Sequence, residues 1–258
     1  MNVTTRDGAD TMVGGGAGKT ILAQTRAELT LVARRGENIL ITIVVPIMLL
    51  VFFASLGVVN TGTKKPVDFL LPGMLALAVI ATAMVSLGIA TAYERFYGVL
   101  KRLGASPLSR GDLIVAKALS VLALEAVQAA LLFAVAALVY HWSPTGSFPT
   151  AVLALLLGTV AFAGLGLAMA GGLRAEATLA GANGLYLVFL LLSGAVLPLD
   201  HLPGALRDLA AVLPAAALTE ALRAALTAGA AFPLSPLVVL AVWAVLTLGV
   251  ASRTFKWE

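Results

Sequence analysis

Chemistry in this 258-residue chain has to come from few side chains, because 60% of its residues are hydrophobic and only 12% are charged. Near the amino terminus, Gly14-Gly15-Gly16-Ala17-Gly18-Lys19-Thr20 invites comparison with a phosphate-cradling loop. The pattern G-x-x-x-x-G-K-[ST] needs its first glycine where Val13 stands. No strand precedes the segment and no acid-tipped strand follows it. Nucleotide binding by this chain is therefore not expected. Ser86 and Ser193 fall within long apolar runs, whereas His141 and His201 fall at the rims of such runs, so no Ser–His dyad shares a depth. The histidines lack converging carboxylates and there is no cysteine, so neither a metal site nor disulfide or thiolate chemistry is expected. The remaining candidate is Glu125, the only acid inside a long apolar run, which makes it a functional candidate. Gln128 lies one helical turn on and is placed to hydrogen-bond with it. Lys117 is about 12 Å away on the same helix. Two roles for Glu125 stay open, an interhelical hydrogen bond or the handling of substrate or protons.

The elements that carry these residues follow from hydropathy. A soluble domain averages roughly 25% charged residues, and a globule of this size could not hide so much apolar surface. A soluble enzyme is excluded. Crossing ~30 Å of hydrocarbon takes about 20 apolar residues. Six stretches qualify: Ile39–Val59, Phe69–Ala92, Ala118–Tyr140, Ala151–Leu173, Ala177–Leu199 and Phe232–Ser252. None alternates strictly, so helices fit and barrel strands do not. Leu206–Thr227 is too charged to be a seventh span, with Arg207, Asp208, Glu220, Arg223 and a central Pro214.

The basic residues agree with this count. Arg6, Lys19, Arg26, Arg34, Arg35, Arg95, Lys101, Arg102, Arg110, Lys117, Arg174, Arg253 and Lys256 share one side, and Lys64, Lys65, Arg207 and Arg223 the other, thirteen against four of the 17 Lys+Arg. The positive-inside rule then puts both termini in the cytoplasm. No early apolar core marks a secretory signal, so the mature chain is expected to begin near Met1. Residues 1–18 are expected to form a disordered tail, and residues 19–258 a single membrane domain.

Between the spans, Thr20–Arg35 reads as a helix lying in the interface. Ile21, Leu22, Thr25, Leu29 and Val32 form its apolar side, with Arg26 and Arg34 turned away. The loop Glu94–Asp112 places Phe96, Val99, Leu100 and Leu103 at helical spacing among Arg95, Lys101 and Arg102, with Gly104 and Pro107 as stops. Ser109 with Asp112 forms an S-x-x-D start signal for the next helix. From composition, the short helix is either a membrane-surface anchor or a docking element. Pro46 and Pro72 mark kinks or end caps. Small residues crowd Gly158–Gly172 and permit close helix contact.

The same loop resembles the cytoplasmic signature of ABC-2-type permeases, the membrane subunits of ATP-binding-cassette exporters. Glu94-Arg95, Gly98, Lys101-Arg102-Leu103 and Ser106-Pro107-Leu108-Ser109 carry the likeness. Ser193-Gly194 with Pro198, Leu202-Pro203, Leu213-Pro214 and Glu220-Ala221-Leu222-Arg223 are similar to a later family pattern. The order of spans fits along nearly the whole chain. The drug-resistance type, typified by the daunorubicin exporter permease, is the most similar subfamily.

The resemblance implies an all-α integral membrane protein of six spans, with an amino-terminal interfacial helix, a cytoplasmic coupling helix and short outer re-entrant helices before the last span. It implies a half-transporter in a bacterial plasma membrane that forms a homodimer or heterodimer in the lipid bilayer. Its partner would be a separate nucleotide-binding subunit that holds ATP and Mg, so this chain would need no cofactor, act as no enzyme by itself and bind no nucleic acid. Glu94, Arg95, Phe96, Gly98, Leu100, Lys101, Arg102, Leu103, Ser106 and Pro107 would form the coupling site. Pro198, Pro203, Pro214, Glu220 and Arg223 would shape an outer lid, against the plainer reading of a surface loop. The cargo would be an amphipathic drug, antibiotic or lipid-like molecule leaving the cytoplasm or inner leaflet. Polysaccharide or lipid-linked glycan export is the alternative, followed by ion-coupled transport or a scaffold role. If Glu94 contacts the ATPase, Glu94→Ala uncouples hydrolysis from transport.

Overall fold

A computed structural model describes residues 16–34, 36–56, 65–105 and 109–254, and among them every regular element is a helix. Most of the expected disordered tail, and the glycines at the start of the loop-like Gly14–Thr20 run, lie outside the described residues. The chain runs through α1 (Gly16–Arg34), α2 (Gly36–Leu56), α3 (Pro66–Val79), a π-helical segment (Ile80–Ser86), α4 (Leu87–Phe96), α5 (Val99–Gly104), α6 (Arg110–Tyr140) and α7 (Phe148–Gly172). It continues through α8 (Ala175–Leu192), a 3-10 turn (Leu199–His201), α9 (Gly204–Val212), α10 (Pro214–Leu226) and α11 (Leu234–Thr254).

Five of these are long and apolar enough to cross a bilayer: Pro66–Phe96, Gly111–Tyr140, α7, α8 and α11. The apolar part of α2, Thr42–Leu56, is shorter, and the end of its expected span at residues 57–59 lies outside the described residues. Helix α6, which carries the third expected span Ala118–Tyr140, starts where the S-x-x-D signal placed it. Ser109 Oγ accepts from the Asp112 amide at 3.1 Å, and the Ser109 amide donates to Asp112 Oδ2 at 3.3 Å. This reciprocal cap satisfies donors that a helix start otherwise leaves open.

One expected boundary is corrected, and the position of the two prolines is settled. Ala177–Leu199 stops as a helix at Leu192, because Ser193 Oγ bonds the Leu190 carbonyl and the Ala195 amide while Gly194 takes a left-handed φ of 69°. Glycine adopts that conformation without the steric penalty of a Cβ. Pro46 and Pro72 sit inside α2 and α3, not at their ends. Beyond Pro72 the helix runs unbroken to Phe96, and its change of winding comes later, at Ile80–Ser86.

Side-chain bonds define the two ends of the bundle. Lys65 Nζ donates to the His141 carbonyl at 3.2 Å, joining the start of α3 to the end of α6. Arg95 donates to carbonyls of Gly171 and Leu173, joining the end of α4 to the end of α7. At the former end, α9 and α10 are bent by 79° across Leu213 instead of forming a straight span. Helix α10 is almost wholly buried beside α3, α7 and α11, while α9 leaves Leu206, Leu209 and Val212 exposed.

The small residues of α7 set the spacing of the bundle. A Cβ added at Gly166 would lie 2.6 Å from the Met84 carbonyl oxygen, and one at Gly164 would lie 2.4 Å from Thr247 Oγ1 of α11. Helices in lipid gain little from hiding apolar groups and associate through such close packing. Gly166→Ala should therefore cost about 1–3 kcal/mol of stability, read as a lower melting temperature in detergent. Gly184→Ala, where a Cβ meets nothing within 4 Å, should leave the melt unchanged.

Candidate functional site

Helix α4 ends in a tight turn at Tyr97-Gly98, with Gly98 at a left-handed φ of 69°. This turn releases the chain into the six residues of α5. Leu100, 1% exposed, plugs α5 into the core, and Leu103 packs partly against it. Phe96 and Tyr97 are 62% and 66% exposed, and Val99, Lys101 and Arg102 also face outward. Tyr93 stacks on Tyr97 at 6.0 Å between ring centroids, and Phe96 meets Tyr97 edge-on at 5.1 Å. The outward surface is thus aromatic and basic. Leu100, expected as a docking anchor, instead holds α5 to its own bundle. Ser106 and Pro107 lie outside the described residues.

Glu94 and Arg95 also differ from expectation, because both are engaged inside the bundle. Glu94 Oε2 accepts from Lys117 Nζ at 2.7 Å, and Lys117 also donates to Glu28 Oε1 of α1 at 3.0 Å. Lys117 is 1% exposed. Gln24 Nε2 adds a bond to Glu28 Oε1 at 3.0 Å. A buried carboxylate and a largely buried one, on separate helices, therefore share one ammonium. Removing one partner from such a group typically costs 3–5 kcal/mol, because a buried charge is left uncompensated. Arg95 points the other way. Its Nη1 donates to the Gly171 carbonyl at 2.6 Å and its Nη2 to Leu173. A guanidinium there satisfies open carbonyls at a helix end and opposes the negative end of the helix dipole.

The sequence does not single out Glu28, and it sets Lys117 only beside Glu125 and among the basic residues of one side. The signal was there in α1, where Glu28 falls one turn after Thr25, an acid beside a supposedly apolar face. That face is also corrected: Thr25 and Glu28 are buried against the bundle, whereas Leu22 is 53% exposed. Helix α1 packs on α6 through a stripe that includes polar groups, because Lys117 supplies the partner of Glu28 and the Ile21 carbonyl accepts from Thr25 Oγ1.

Halfway along the spans, Glu125 and Gln128 do not bond to each other. Glu125 Oε2 lies 2.5 Å from the Thr159 hydroxyl of α7, and Oε1 is buried with no hydrogen-bond partner among the described residues. Gln128 Oε1 accepts from Thr82 in the π-helical segment at 3.0 Å, and its Nε2 donates to the Thr42 carbonyl of α2 at 3.2 Å. The pair thus ties α6 to three other elements. Serving different partners satisfies more polar groups than a bond within one helix would.

At the opposite end, Arg223 Nη2 donates to the Gly194 carbonyl at 2.9 Å, and its guanidinium carbon lies 3.9 Å from the centroid of the Phe69 ring. A cation over an aromatic face is attracted by the ring quadrupole. Glu220 is exposed on the same helix. Pro198 precedes the 3-10 turn, Pro203 precedes α9 and Pro214 opens α10. Of the expected lid residues, Arg223 alone joins three parts of the chain: α10, α3 and the segment after α8. His141 caps α6 at a φ of 49°, and His201 lies in the 3-10 turn.

The geometry at mid-depth predicts a specific pattern of couplings. Gln128→Leu and Thr82→Val should show a coupling energy of about 0.6–1.7 kcal/mol in a double-mutant cycle, measured by reversible unfolding in detergent. Gln128→Leu and Thr159→Val should be nearly additive. A strong coupling in the second cycle would mean that Glu125 and Gln128 share partners.

The bundle, its engaged Glu94-Arg95 pair and its outward aromatic tip can be set beside known proteins. No curated protein matches the chain. The pattern of the ABC-2 type transporter family matches residues 20–227, which runs from α1 through α10 and covers well over half of the chain. This is a multi-pass membrane protein and a permease that belongs to the ABC-2 type transporter family.

Proposed function

We propose that the chain is the membrane subunit of an ATP-driven exporter and that the α4–α5 tip docks into a groove of a separate nucleotide-binding subunit. The observation that carries this reading is the division of labour within one short segment. Leu100, Glu94 and Arg95 hold the tip to the bundle, while Phe96, Tyr97, Val99, Lys101 and Arg102 face outward. Exposed aromatic residues beside cations are typical of binding hot spots. The complementary groove is apolar at its centre and acidic at its rim. A purely lipid-facing anchor gains less from this arrangement, because its rigid internal bracing would serve no purpose at a fluid surface.

In this reading ATP and Mg belong to the partner subunit. The excess of basic residues on the side of α5 and of both termini supports a cytoplasmic location for that side. A bacterial plasma membrane and a dimer follow from the resemblance. The spans contain almost no fixed charge to bind a strongly polar solute, which favours an amphipathic cargo such as a drug or lipid-like molecule. Export from the cytoplasm or inner leaflet, as in the drug-resistance type, follows from the resemblance.

Affinity purification of the tagged chain from cells that coexpress an ATP-binding-cassette ATPase of the same genome tests the docking. The wild-type chain should retain the ATPase, and Phe96→Ala with Tyr97→Ala should weaken retention by at least roughly thirtyfold, equivalent to about 2 kcal/mol. Equal retention by a correctly folded double variant would refute docking through this tip.

A further inference from the structure

We infer that Lys117 is a positioning residue that makes α1 move as one piece with the α4–α5 tip. The inference rests on the docking reading for its function, but not for its geometry. Glu94 and Arg95 are neighbours on the last turn of α4, yet they grip different parts of the molecule. Arg95 holds the junction between α7 and α8 through the Gly171 and Leu173 carbonyls. Glu94 holds Lys117 at 2.7 Å, and Lys117 in turn holds Glu28 of α1 at 3.0 Å. A force on the tip therefore divides into two outputs, and the second one ends on α1.

Charge makes this second branch stiff. The ammonium is 1% exposed and lies between two carboxylates, one on each neighbouring element. Pulling either carboxylate away leaves a charge uncompensated out of water, which opposes separation more strongly than apolar sliding does. The chain itself supplies no such stiffness: α5 has six residues and is joined to α4 through a glycine. Within α1 itself, Gln24 donates to the same Glu28 oxygen at 3.0 Å and so orients that carboxylate towards Lys117. Each partner comes from a different helix, so this arrangement aligns α1, α4 and α6 in register at one end of the bundle.

Spin-label distances test this directly, since the chain has no cysteine to compete. Labels at Ala23→Cys on α1 and Ala105→Cys beyond α5 occupy exposed positions. A control pair at Gly204→Cys and Ala228→Cys reports on the opposite end, also at exposed positions. In the purified chain, Lys117→Met should broaden the α1–α5 distance distribution while leaving the control distribution unchanged, and Lys117→Arg should restore a narrow one. Glu28→Gln should broaden the α1–α5 distances but not those between Ala105→Cys and a label at Gly111→Cys on α6. This variant also keeps the test decisive if Lys117→Met fails to fold. An α1–α5 distribution that stays narrow in Glu28→Gln overturns the inference, as does one that broadens together with the control pair.

With the ATPase bound, ATP and vanadate should shift the α1–α5 ensemble's distance to the Gly204→Cys label in the wild type. That shift should be lost for α1 alone in Glu28→Gln. A shift of α1 that persists in Glu28→Gln overturns the inference. Failure of the ATPase to bind the wild-type chain would refute the docking reading instead, and leaves the first set of distances as the test of the Lys117 link.

Discussion

Two glutamates from distant parts of the chain share one buried lysine, and the arrangement of one end of the bundle depends on it. Neither Glu28 nor Glu94 could be buried there without a cation, and Lys117 could not sit at 1% exposure without both hydrogen-bonding acceptors. That requirement sets the depth of α1, the end of α4 and the first turns of α6 relative to one another. The outward presentation of Phe96 and Tyr97 follows, because the turn at Gly98 starts from a helix end that cannot rotate.

Polar groups play the same part elsewhere in the bundle. At mid-depth, Gln128 joins α6 to the π-helical segment and to α2, while Thr159 meets Glu125 across α7. At the far end, Arg223 ties α10 to α3 and to the turn at Gly194. In a bilayer, apolar side chains gain little by choosing one helix over another, so close glycine contacts and hydrogen bonds decide which neighbours meet. Polar ties among the described residues thus recur at several heights of the bundle, with tightly packed α7 glycines between them. The end that carries the α4–α5 tip holds an ion-paired cluster and a guanidinium, whereas mid-depth and the far end hold neutral or single-charge contacts.

Much of this architecture was legible in the sequence, and the failures share a cause. Helix starts were readable where local chemistry marks them, as in the reciprocal cap of Ser109 and Asp112. The spans were readable because hydropathy over about 20 residues reports on lipid contact. Lys101 and Arg102 are exposed as a basic surface should be, but Phe96, grouped by spacing with Leu100, is parted from it by the turn at Gly98 and faces outward. Partners could not be read. Glu28 and Lys117 lie 89 residues apart, and Glu125 and Thr159 lie 34 apart, so no local periodicity connects them. Glu94 was assigned to an outside partner because an acid in a basic loop has no evident internal one. The π-helical winding at Ile80–Ser86 has no residue signature of its own, and the backbone of Gly166 packs closely against it.

The most direct measurement of the central claim is site-specific photocrosslinking in intact cells, with p-benzoylphenylalanine in place of Tyr97 or of Leu100. The account predicts an adduct between the Tyr97 position and a nucleotide-binding subunit, and only internal or no adducts from the Leu100 position. Lipid adducts alone from position 97, or an ATPase adduct from position 100, would contradict it.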